Sequence, residues 1–111
     1  MTSIFTKTAL TASVVNVKTA PGWLSALVVG NPNAAASYVQ LFNSLAANVS
    51  LGTTVPYACF YIPANSNLVL AFGANVDCLP EFPVALSIAA TTTSTGSSAP
   101  SSNLPNTVIY V

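Results

Sequence analysis

Trp23-Leu24-Ser25-Ala26-Leu27-Val28-Val29-Gly30-Asn31-Pro32-Asn33 reads as a central β-strand with a hard stop. Trp23, Ser25, Leu27 and Val29 fall on one side of an extended chain, and Leu24, Ala26 and Val28 fall on the other. Both sides are largely apolar, as in a strand covered on two faces. Pro32 ends the run because it cannot donate to a ladder.

The same punctuation recurs on either side. Val14, Val15 and Val17 form a β-branched run that ends at the turn signal Ala20-Pro21-Gly22. Downstream, Tyr38 to Asn43, Tyr57 to Ile62, Leu68 to Phe72, Val84 to Ala90 and Thr107 to Val111 are further strand candidates, separated by Pro, Gly and Asn turns. Ala34-Ala35-Ala36 and Leu45-Ala46-Ala47 favour a helical turn but are too short for a stable helix. The spacing predicts an all-β chain: a single β-sandwich or jelly-roll-like domain of about seven or eight short strands over residues 1–111. Two segments stand apart from it, an N-terminal arm (1–12) and a Ser/Thr-rich loop (91–103). Neither is rich enough in core-forming residues to be held by its own domain.

Composition restricts function more sharply than fold. Charged residues are 4% of the 111, namely Lys7, Lys18, Asp77 and Glu81, with zero net charge and no histidine. An average soluble chain carries roughly 25%. Phosphate-backbone binding scales with the number of cationic contacts, so two lysines exclude nucleic acid as a partner. An anionic membrane surface is excluded for the same reason. Apolar stretches such as Leu24 to Val29 are far short of the ~20 residues needed to span a bilayer. Met1 to Lys7 lacks a cationic opening segment and the next ten residues are diluted by Thr, Ser and Asn, which predicts an unprocessed chain made in a cytoplasm. Thr, Ser and Asn make up 35 residues. A neutral, hydroxyl-rich surface repels neighbouring molecules little and favours association.

Candidate chemistry is sparse. Asp77 and Glu81 lie in one proline-containing loop, too close in sequence to straddle a sugar as a glycosidase pair does. No Gly-x-Ser-x-Gly elbow or Ser-x-x-Lys dyad activates any of the serines. Cys59 and Cys78 are too few for a structural zinc site without histidine, and without an export signal they are expected reduced and buried. Asn48-Val49-Ser50 matches a glycosylation triplet of the kind that arises by chance in so Asn- and Ser-rich a chain. No catalytic residue, cofactor or metal is therefore expected. Trp23, Tyr38, Tyr57, Tyr61 and Tyr110 leave carbohydrate stacking as an alternative, with Tyr57 and Tyr61 on one strand face.

Several blocks in order resemble a group of small tailed-bacteriophage virion structural proteins. They are Trp23-Leu24-x-x-Leu27-Val28-Val29-x-Asn31, Ala34-Ala35-Ala36-x-Tyr38-Val39-Gln40-Leu41-Phe42-Asn43, Gly52-Thr53-Thr54-Val55-Pro56, Tyr61-Ile62-Pro63-Ala64 and Phe72-Gly73. An alanine-rich strand running into Thr91-Thr92-Thr93 and a Tyr110-Val111 ending complete the series. The blocks span about four-fifths of the chain, and Cys78 to Pro83 departs from the pattern. The resemblance implies a β-sandwich capsid decoration (cement) protein on the virion exterior. Its partners would be the major capsid protein and copies of itself, with a trimer as the analogous assembly. The alternatives are a tail or fibre component, or a carbohydrate-binding module. The expected partner contacts are Ile4 and Phe5 of the arm and Thr92, Thr93, Ser97 and Ser98 of the loop. Docking of the arm onto the domain's own sheet is the competing expectation.

Overall fold

The computed structural model describes residues 2–73 and 75–111. Its strands are β1 (Ser3–Leu10), β2 (Val15–Lys18), β3 (Gly22–Asn31), β4 (Ser37–Phe42), β5 (Ala58–Ile62), β6 (Ser66–Ala71), β7 (Glu81–Phe82), β8 (Leu86–Thr91) and β9 (Leu104–Tyr110). Short 3-10 turns form at Ala46–Asn48 and Val76–Cys78. The chain is all-β, and each of the seven expected strands is present with its ends displaced by a few residues. Alanine builds a turn at Ala46–Asn48, whereas Ala34 and Ala35 lie in a bend and Ala36 is irregular.

The strands form two antiparallel sheets, in the orders β1-β9-β3-β6 and β2-β8-β4-β5, with two-residue β7 added to one end of β3. The pairings are nested. β4 pairs with β5, β3 with β6, β2 with β8 and β1 with β9, so that one long hairpin is wrapped into two layers. That strand order is the jelly roll. Leu27, Val29 and Val108 of the first sheet meet Val39, Leu41, Ile62, Ile88 and Ala90 of the second, all fully buried. Leu10, Val17, Leu24, Phe82, Leu86 and Leu104 complete the core.

Three details differ from the alternation read along the sequence. Leu24 joins Leu27 and Val29 in the core and does not lie with Ala26 and Val28, because the ladder to β9 shifts register between Leu24 and Ala26. The extra residue, Ser25, turns its hydroxyl to the Gly73 carbonyl at 2.7 Å. Secondly, much of the N-terminal arm is β1. Ser3 to Lys7 pair residue by residue with Tyr110 to Asn106, and Phe5 packs against the core. Thirdly, β7 lies between Pro80 and Pro83, where Trp23 and Gly22 face Glu81 and Phe82.

The Ser/Thr-rich loop is likewise held by its own domain, and polar groups rather than apolar ones hold it. The two N–H groups of Gln40 Nε2 are shared among Thr91 Oγ1 at 2.7 Å, the Gly96 carbonyl at 3.1 Å and the Thr93 carbonyl at 3.3 Å. The Thr92 amide donates to the Ser98 carbonyl, and Asn33 grips Ser102 through two hydrogen bonds of 2.6 and 3.0 Å. Pro100 is buried.

Candidate functional site

The two outer surfaces of the sandwich are unequal. On the β2-β8-β4-β5 sheet, most outward side chains of the central strands are covered: Gln40, Phe42, Ser87, Ala89 and Thr91 are buried, and Tyr38 is half-buried. The cover is the chain itself. Gln40 reaches the 92–98 loop, Ser87 Oγ donates to the Ser44 carbonyl, and Asn16 Oδ1 accepts from the Ala46 amide. The two covering loops meet where Gly52 comes against Ser97. Gly52 has φ +84°, a conformation that a side chain would strain, and a Cβ there would lie 3.4 Å from the Ser97 side chain.

Among the described residues, the β1-β9-β3-β6 sheet has no such cover. Strand alternation turns Phe5, Leu27, Val29, Leu68, Leu70 and Val108 inward, which leaves the intervening residues facing out. Register aligns them in rows across the four strands. One row is Ile4, Ile109, Ala26 and Ala71, and the next is Thr6, Thr107, Val28 and Val69. Ile4 is 70% exposed, Val69 67% and Val28 42%. At the far end Thr8, Pro105, Gly30 and Asn67 line a shallow hollow of about 340 Å³, which continues into a second of about 440 Å³ lined by Asn31, Pro32 and Asn65. Gly30 keeps the floor low. A Cβ there would come within 3.2 Å of Asn67 Oδ1 and 3.5 Å of Pro105 Cγ. Pro105 stands where pairing of β9 is interrupted on both sides: the register with β3 ends at Asn106, and the register with β1 shifts between Lys7 and Leu10.

No ionisable side chain belongs to these rows. The face presents methyls, threonine hydroxyls and one asparagine amide, and its apolar part is exposed to water at Ile4, Val28 and Val69.

The structure separates the expected contact residues. Ile4 stands in the first row of the open face, and Phe5, its neighbour, points the opposite way. Thr92, Thr93, Ser97 and Ser98 are exposed, but in the loop that covers the other sheet. Val28, Val69, Ile109 and Thr107 were not singled out from the sequence, because only strand register shows that they are neighbours.

The remaining candidates are dispersed. Tyr57 and Tyr61 are 54% and 55% exposed, yet Tyr57 packs on Phe82 with ring centroids 5.0 Å apart, and Tyr61 packs edge-on against Tyr38 at 5.4 Å. Both cysteines are free thiols. Cys59 is half-buried, and Cys78 is exposed where burial was expected. Among the described residues, no three His, Cys, Asp or Glu side chains cluster as metal ligands would. No known family model matches the chain, and no curated protein is significantly similar to it.

Proposed function

We propose that this chain is a non-enzymatic structural protein of a virion, a decoration protein that binds the capsid exterior and is made in the cytoplasm of a bacterial host. The observation that carries the reading is the open, uncharged face of the β1-β9-β3-β6 sheet, a surface suited to a protein partner, be it another copy within the decorating unit or the shell itself. A protein that works by adhesion needs buried area and no turnover machinery, and a bare apolar sheet face supplies that area. The resemblance of the sequence blocks to small phage structural proteins supports the same reading and points to the capsid as partner. Each copy would add a modest contact across a joint between shell subunits, and repetition over the shell multiplies it.

Apolar and hydroxyl contacts are screened little by salt, unlike ion pairs. The protein should therefore co-band in stoichiometric amount with gradient-purified virions and remain attached in molar sodium chloride. Its absence from the band, or its release by salt alone, would overturn the proposal. Separating heads from tails in the same preparation distinguishes decoration from a tail or fibre location. Tyr57 and Tyr61 favour the carbohydrate-binding alternative only through their exposure, since their rings lie on different partners.

A further inference from the structure

The open face divides down its middle into two unlike halves. In the first row the β1 and β9 half carries Ile4 and Ile109, while the β3 and β6 half carries Ala26 and Ala71. In the second row the same halves carry Thr6 and Thr107 against Val28 and Val69. Beyond them Pro105 stands beside Gly30. Bulky residues thus lie level with small ones across a line between β9 and β3, and threonines lie level with their near-isosteres, the valines.

We infer that this face is the contact between two copies of the chain, related by a twofold axis that lies in the interface and runs along the strands between β9 and β3. Such an axis carries β1 over the partner's β6 and β9 over the partner's β3 without moving any row along the strands. Ile4 then meets a partner alanine at position 71, Ile109 meets a partner alanine at 26, and Thr107 meets a partner valine at 28. Pro105 falls over the low floor at the partner's Gly30. The patch is complementary to itself, as an isologous interface requires. Two copies meet with no like charge opposed, since no ionisable side chain belongs to the rows.

Four strands ~4.8 Å apart and three rows ~6.8 Å apart give the matched rows roughly 400 Å², about half the ~800 Å² per partner of a standard interface, with the flanks of the sheet supplying the rest. The inference rests on the adhesive reading of this face and assigns its occupant; the loop-covered sheet is then left free to meet the capsid.

Sedimentation equilibrium of the purified chain should find a dimer. Val28→Lys and Val69→Lys, both at exposed positions, should raise its dissociation constant at least ~100-fold while leaving the circular dichroism unchanged, because each buries two unpaired charges. A mixing experiment tests the register. Ala26→Ile alone opposes isoleucine to isoleucine, and Ile109→Ala alone opposes alanine to alanine, so each homodimer is weakened. Mixed together they restore both bulky-to-small contacts, and native mass spectrometry should show the heterodimer well above its statistical share.

A wild type that remains monomeric at millimolar concentration, a dimer indifferent to both lysine variants, or a merely statistical heterodimer would each overturn the inference. So would a monomer whose attachment to virions is lost in Val28→Lys, which would give the face to the capsid. Absence of the chain from purified virions defeats the decoration reading and leaves the dimer standing, so the two failures are told apart.

Discussion

Asn31 does more structural work than any charged residue in this chain. Its Nδ2 lies within hydrogen-bond reach of the Ala35, Ile62 and Pro63 carbonyls, which share its two N–H groups, and its Oδ1 faces the Asn33 amide, Asn33 Nδ2 and Ser37 Oγ, all between 2.9 and 3.2 Å. One buried side chain thus joins the β3–β4 turn to the end of β5, and through Asn33 to the loop ahead of β9. Asn31→Ala leaves several of these buried groups unsatisfied and should cost about 2–4 kcal/mol in urea unfolding. The sequence showed Asn31 only as a strand stop, because neighbours that are remote along the chain determine what an asparagine amide does. The thiols offer a second test at this scale. Burial pushes the Cys59 thiol above its ordinary value of 9.0. Below that value the folded and unfolded chains both keep the proton and this stabilisation is complete. Above it the unfolded chain ionises first, so stability should fall through the range between 9.0 and the raised value. Cys59→Ser should flatten that fall, and at neutral pH iodoacetamide should label exposed Cys78 before Cys59.

Among the elements, β1 and the 91–103 loop were the two that looked detached in the sequence, and both are attached. Ile4, Thr6 and Thr8 alternate with Phe5, Lys7 and Ala9, a period-two pattern that is legible once a partner strand is available. A lysine on the inward side obscured it. Removing residues 2–7 uncovers the β9 edge and Val108, and should lower stability by about 2–4 kcal/mol and promote aggregation through the exposed edge. The loop depends on Gln40. Its position inside Tyr38-Val39-Gln40-Leu41-Phe42 was the one available signal, since a buried polar residue in an apolar strand must find partners. Gln40→Ala should cost about 1–3 kcal/mol and make 92–98 the first site of limited proteolysis, with the sandwich intact at the moment of cleavage. Seven strands were legible because Pro, Gly and Asn bracket them. Two-residue β7 was not, because its neighbours Pro80 and Pro83 are the residues that signal a turn.

At the scale of the whole molecule, the fold class was readable from periodicity, but the order of the strands was not. Nothing in the alternation specifies that β3 lies between β9 and β6, and the rows of the open face exist only through that order. Nesting also sets the kinetics. The pairing of Ser3 with Tyr110 closes almost the entire chain, and loops of that length slow the search for native contacts. Stopped-flow refolding should therefore fall in the millisecond-to-second range of β-sandwiches, and a microsecond phase carrying the full amplitude would contradict the nested topology. The same wrapping has a consequence during translation. β1 leaves the ribosome first, and its ladder partner β9 is synthesised only after every other strand. For the whole of that interval Ile4 and Phe5 lie on a strand without its ladder partner, an edge open to pairing with other nascent chains.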